Sequence, residues 1–104
     1  KQRLGDREVR VSIPNLTQFK HYTPVLIDDI ISTARTMIAG LQHFKKTEMQ
    51  KPVCIGVHGV FSGNAFEELL EAGASRVVTS NSIPHVSNQI DLSSLVIKAL
   101  RRND

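Results

Sequence analysis

Asp28 and Asp29 stand side by side behind the apolar run Val25-Leu26-Ile27, and after Ile30-Ile31 comes Ser32-Thr33-Ala34-Arg35-Thr36. Two carboxylates at a strand end can accept hydrogen bonds from sugar hydroxyls, or hold a hydrated divalent ion beside them. A small, hydroxyl-rich turn that opens a helix leaves backbone N–H groups free to face an anion. Together these are the parts of a sugar-phosphate site. Adjacent acids taken alone are more often solvated or cap the next helix. The context of the whole run from Val25 to Thr36 reverses that balance.

The elements that must position this site are legible around it. Residues 25–31 read as a buried strand, and a helix is expected from about Ala34 to Lys46, with Met37, Ile38, Leu41 and Phe44 on one face at helical spacing. On a regular strand two adjacent acids point to opposite faces, so only one faces the sugar. Either the chain has turned by Asp29 or that residue acts from behind, and Asp28 is favoured. A second strand, Val53 to His58, leads through the turn Gly59 to Gly63 into a helix at Asn64. Asn64 and Glu67 have the spacing of a capping box, and Gly73 suits a left-handed helix exit. Arg76 to Ser80 reads as a third strand, Asn81 to Gln89 as a loop, and Leu92 to Arg102 as a last helix with Leu92, Leu95, Val96 and Ala99 inward. Strand and helix alternate without a hairpin signal, which predicts an α/β fold: three layers, a mostly parallel sheet flanked by helices. Ligands of such sheets bind beyond the carboxyl ends of the strands.

Composition bounds the function. A chain of 104 residues, 40% hydrophobic, fits a single domain. No apolar stretch approaches the roughly 20 residues of a membrane span, and no signal core follows the basic start, so a cytoplasmic protein without a membrane partner is expected. The net charge of +3 lies at the front: residues 1–20 hold Lys1, Arg3, Arg7, Arg10 and Lys20 against Asp6 and Glu8, while the remainder balances. Residues 1–22 read as a basic flexible loop with one edge strand at Val9 to Ile13. With one Tyr and no Trp the chain offers little for stacking on nucleic acid, and small anionic ligands are favoured. Cys54, the single cysteine, has no partner within the chain and reads as a small buried hydrophobe. His21, His43, His58 and His85 lack paired ligand spacing, so no metal ligands are assigned.

The run from Val25 to Thr36 resembles the phosphoribosyl-diphosphate binding motif of type I phosphoribosyltransferases: a hydrophobic strand, Asp-Asp, two residues, then Asp-Thr-Gly-Gly-Thr. Ser32 replaces the last Asp, and Ala34-Arg35 stand where the family has two small residues, usually with Gly second. Three further segments, Lys1 to Val9, His58 to Ala65 and Thr79 to His85, match the C-terminal half of the ribose-phosphate pyrophosphokinase family in order and spacing. The resemblance implies a partial phosphoribosyltransferase-like domain over residues 1–104. It implies transfer of the diphosphate of ATP, with Mg²⁺, to the 1-hydroxyl of ribose 5-phosphate, ATP being held mostly outside this chain. It also implies a homo-oligomer. By the same match Lys1 and Arg3 are the catalytic candidates, Asp28 and Asp29 hold the ribose, and Ser32, Thr33, Ala34, Arg35 and Thr36 wrap the 5-phosphate. Arg35 either reaches that phosphate or lies outside on the first helical turn. The second functional expectation is a noncatalytic phosphoribosyl-binding or regulatory module, for which Ser32 and Arg35 speak. A base phosphoribosyltransferase is a weaker third, because no hood for a base is recognisable.

Overall fold

The computed structural model describes residues 2–3, 9–10 and 21–102. Two short strands, β1 (Gln2–Arg3) and β2 (Val9–Arg10), pair antiparallel, and β2 lies beside the first helix. Then follow β3 (Val25–Ile31), α1 (Arg35–Phe44), β4 (Val53–Gly59), α2 (Ala65–Glu71), β5 (Arg76–Ser80), β6 (Asn88–Ile90) and α3 (Ser93–Arg102). Strands β3-β4-β5-β6 form one sheet in that order, every pairing parallel. This is the expected α/β architecture, and its strands all deliver their carboxyl ends to one edge.

The register decides which side chains share a face. Leu26 pairs with Cys54 and Cys54 with Val77, and these residues face α1 and α2. Met37 and Leu41 from α1, Ala65 and Leu69 from α2, and Ile31 complete that core. Apolar residues at helical and strand spacing close on one another here because each is amphipathic on its own. Gly56 is needed on this face: a Cβ there would lie 2.5 Å from Cδ1 of Ile31. Cys54 is fully buried, and burial pushes its thiol up to about 11, so it packs as a hydrophobe.

The opposite face, carrying Val25, Ile27 and Val57, is open among the described residues, with Ile27 71% exposed. Helix α3 has at most slight contact with the other described elements. Leu95 and Val96, expected inward, are 63% and 54% exposed and Ala99 is exposed as well, while Leu92 is half-buried; the apolar stripe exists but little among the described residues covers it.

Two further local expectations are corrected. Asn64 makes no side-chain cap on α2, which is joined to it through the Asn64 carbonyl accepting the Glu68 N–H at 2.8 Å. The stretch 81–89, expected as loop, ends in the first residues of β6, whose polar sequence carries no alternation. The strand expected over Val9 to Ile13 is seen at Val9–Arg10, and its remainder lies outside the described residues. Gly73 does leave α2 at φ 115°, as its position predicted.

The start of α3 is held by Asp91, whose Oδ1 accepts the Ser93 N–H at 2.8 Å and the Asn81 amide at 3.0 Å. Bonding to Ser93, first through its N–H, and then to Asn81 lowers the Asp91 carboxyl below its ordinary value of 3.8. A lowered value in the folded state means that this contribution is complete above 3.8 and is lost as pH falls through the folded-state value. Protection of the Ser93 amide from hydrogen exchange should therefore fade below that pH, and in Asp91→Ala it should already be absent at neutral pH.

Candidate functional site

The carboxyl ends of β3 and β4 are bolted together. The Ile31 carbonyl accepts the N–H of Val60 at 3.0 Å and of Phe61 at 2.9 Å, and the Ser32 carbonyl accepts the Ser62 N–H at 2.9 Å. The hydroxyls of Ser32 and Ser62 meet at 2.8 Å. The turn after β3 and the turn after β4 thus make one rim. Ser62 was not singled out in the sequence, and its only signal was a place in the small-residue turn before α2.

Strand β3 runs unbroken through both acids, so the chain has not turned at Asp29. Asp28 lies on the helix-bearing face with Leu26 and is half-buried, while Asp29 is exposed on the other side. Regular alternation then lapses: Asp29 and Ile30 are both exposed and Ile31 is buried. The acids themselves replace part of the ladder, since the Asp29 N–H donates to Asp28 Oδ1 and the Ile30 N–H to Asp29 Oδ1, each at 2.8 Å. Hydrogen bonding with the Asp28 carboxyl, then with the Ile30 N–H, and last the nearness of His58 lower Asp29 below its ordinary 3.8, so it is ionised at neutral pH. His58, opposite Ile30 across the strands, pairs through Nδ1 with the Ser82 hydroxyl at 2.7 Å.

Beyond Ser32 the backbone reverses hand. Ala34 has φ 63° and ψ 15°, and Arg35 begins the right-handed turns of α1. Such a left-then-right pair turns successive N–H groups into one concavity suited to an anion. No backbone or side-chain acceptor among the described residues takes up the N–H groups of residues 33–36, and the first turn of α1 holds no acid. The hydroxyls of Thr33 and Thr36 and the Arg35 guanidinium likewise make no hydrogen bond to other described residues. The end is rich in donors and carries the positive end of the helix dipole.

The demand for left-handed backbone falls on Ala34 and not on Arg35, which is exposed at the first helical position. A glycine is not required at 35, and a large side chain there meets no obstacle. Arg3 lies in β1, one strand removed from α1 by way of β2, and its side chain, like all of Lys1, lies outside the described residues.

The phosphoribosyl transferase domain family matches residues 2–95. The chain belongs to that family. It is 35% identical over 94 residues to ribose-phosphate pyrophosphokinase of Sulfolobus acidocaldarius, covering 88% of this chain and 32% of the relative. It is 32% identical over 100 residues to the Pyrococcus furiosus protein of that name, covering 96% of this chain and 35% of the relative. Ribose-phosphate pyrophosphokinase 2 of Saccharomyces cerevisiae is 31% identical over 83 residues, or 75% of this chain and 26% of the relative. The chain therefore spans about a third of the length of the curated relatives it matches. None of its described helices is long and apolar enough to cross a membrane.

The backbone requirement at Ala34 can be checked by paired substitution. Ala34→Val forces a β-branched residue into the left-handed region and should cost about 1–2 kcal/mol or more. Arg35→Val should cost no more than about 0.7 kcal/mol, the size of a helix-propensity difference. Urea unfolding of the two variants measures both.

Proposed function

We propose that this chain is the ribose-phosphate half-site of a ribose-phosphate diphosphokinase, which transfers diphosphate from ATP to ribose 5-phosphate and yields AMP and phosphoribosyl diphosphate. The observation that supports this most is the sequence of parts at the end of β3: two adjacent acids followed at once by N–H groups at 33–36 that no acceptor among the described residues takes up. Acids accept from hydroxyls and a donor-lined turn accepts a phosphate, so one sugar phosphate satisfies both. The family match and the names of the relatives agree with this order.

In this reading Asp28 takes hydrogen bonds from the ribose hydroxyls and Asp29 adds a fixed negative charge from the other side of the strand. The N–H groups of Thr33 to Thr36 and the hydroxyls of Thr33 and Thr36 hold the 5-phosphate. Arg35, free at the mouth of the turn, adds a charged donor to it. The Ser32 hydroxyl, engaged with Ser62, holds the loop in place. Lys1 and Arg3 supply positive donors where charge develops on the transferred group. A hydrated Mg²⁺ would arrive with ATP, held mostly outside these residues, and Asp28 alone of the two acids would stand beside it on the sugar's side of the strand. That ion, when bound, neutralises charge on the diphosphate. ATP is held mostly by parts of the enzyme outside these residues, so this chain binds ribose 5-phosphate without turnover. We place the enzyme in the cytoplasm.

Ser32 and Arg35 depart from the family motif, and they favour a second reading, a noncatalytic phosphoribosyl-binding or regulatory module. The two share the pocket and differ in chemistry.

Calorimetric titration of ribose 5-phosphate into the chain, with Mg²⁺ present, tests the pocket. Saturable binding should weaken at least about tenfold in an Asp28→Ala, Thr33→Ala double variant, since charge-assisted bonds are removed. Absence of binding to a folded chain would overturn the assignment. If binding holds, absence of AMP formation by the longer polypeptide carrying this domain would favour the noncatalytic module.

The family role also carries a homo-oligomer, and the exposed apolar residues Val25, Ile27, Leu95 and Leu100 support association. Sedimentation velocity should show concentration-dependent assembly of the chain; a monomer at high concentration would overturn it.

A further inference from the structure

Away from the acid pair, the loop between β5 and β6 is closed by a buried polar network centred on His85. We propose that His85 is a neutral-imidazole latch that holds the loop of residues 81–87 shut at the strand ends and releases it when the ring takes a second proton. The device depends on the fold alone and is independent of the ribose-phosphate reading.

The direction of each hydrogen bond can be assigned. Asn88 Oδ1 accepts the His85 N–H at 2.9 Å, so its amide nitrogen is the donor side, its two protons shared among the Ser80 carbonyl at 2.8 Å, Thr79 Oγ1 at 2.9 Å and the Ile83 carbonyl at 3.1 Å. Thr79, receiving that bond, passes its own proton to the Ser87 hydroxyl at 2.6 Å. Ser87 passes its proton to His85 Nδ1 at 2.8 Å, and its N–H points to the same nitrogen at 3.1 Å. The chain of donors therefore ends on Nδ1 as an acceptor, and the ring proton sits on Nε2.

A second ring proton has no place in this arrangement. Nδ1–H would face the Ser87 N–H, and the hydroxyls could accommodate it only by reversing. Reversal leaves the Thr79 proton without an acceptor, and Thr79 is 0% and Ser87 4% exposed, so water cannot supply one. The ring packs on Phe61 with centroids 4.4 Å apart and against Phe66 at 4.8 Å. A cation gains some attraction from these rings, but a half-buried contact of this kind is outweighed by two opposed donors in a buried network. Among the described residues the elements around the ring bring no counter-charge: β5 contributes Thr79, the β4–α2 turn Phe61 and α2 Phe66. The acids of α2, Glu67, Glu68 and Glu71, are exposed and not bonded to the ring. The other imidazole touching this loop is His58, through Ser82.

Release would reach the strand ends. Phe61, held against His85, is at φ 50°, and its N–H is one of the two on the Ile31 carbonyl. Losing the stacked ring removes support from that conformation.

Nitrogen-15 NMR of the imidazoles in the full chain at pH 7.5 should find Nδ1 of His85 unprotonated. Hydrogen exchange should show the Ser87 amide protected at that pH and its protection falling about tenfold, the size of one lost hydrogen bond, as the pH is lowered to 5. The Ile55 amide in the sheet should not change over that range. His58→Asn should leave the Ser87 transition in place, whereas His85→Phe, which keeps the stack and lacks the acceptor, should expose Ser87 at every pH. A proton on Nδ1 at pH 7.5, Ser87 protection that is constant through the titration, or protection retained in His85→Phe would overturn the proposal.

Discussion

The Ile31 carbonyl accepts two backbone N–H groups from the neighbouring turn, and much of the molecule is arranged around that one atom. A strand end in a parallel sheet otherwise has no fixed continuation, because the next residues leave the ladder. Here both turns leave it together. Taking the Val60 and Phe61 N–H groups holds the second turn close, brings Ser62 to Ser32, and sets Phe61 at φ 50° with its ring over Gly59. Gly59 has no room for a Cβ, which would lie 2.6 Å from the Phe61 ring. The same ring then carries His85 and, through it, the loop after β5. A backbone constraint at one strand end thus propagates along the carboxyl edge of three strands.

What this rim leaves unsatisfied is as informative as what it ties. Buried side-chain polar atoms are all paired among the described residues. The donors left unpaired at 33–36 lie on a turn whose Thr33 and Arg35 are exposed, where water can serve until an anion displaces it. Fixing the flanks of such a turn lowers the ordering cost of binding, since the N–H groups already share one concavity. The acids one turn earlier are held in the same way, each by the N–H of the following residue, so both halves of the proposed pocket are set before a ligand arrives.

Much of this was legible in the sequence, and its limits have physical causes. The alternation of strand and helix gave the parallel sheet, and the residues from Val25 to Thr36 gave the strand, the turn and the start of the helix on which the proposed pocket rests, because both are written in local pattern. The inward face of α3 was misread because periodicity reveals an apolar stripe and not whether anything lies against it. β6 escaped because a three-residue edge strand, two of its residues polar, is held by partners and not by propensity. The side-chain cap at Asn64 failed because its spacing is necessary for a capping box and not sufficient: the Asn64 carbonyl already receives the Glu68 N–H, and the side chain is left out. The chain of hydroxyls from Asn88 to His85 joins residues on two strands and a loop, and no spacing rule anticipates it.

Arg35 illustrates how a departure from a motif becomes intelligible only at the level of dihedral angles. Two adjacent small residues in a motif suggest two positions that need freedom, yet the chain reverses hand at a single residue. Ala34 bears that strain with the smallest side chain that still has a Cβ, and its burial keeps it from relaxing outward. The following residue is then an ordinary first position of a helix. A cation there opposes the helix dipole when the site is empty, because no acid in the first turn offsets it. The same cation and dipole act together once an anion occupies the turn. In the proposed reading the substitution would therefore weaken the empty state and strengthen the filled one, so a phosphate held at the turn would recover more free energy than the turn alone would provide.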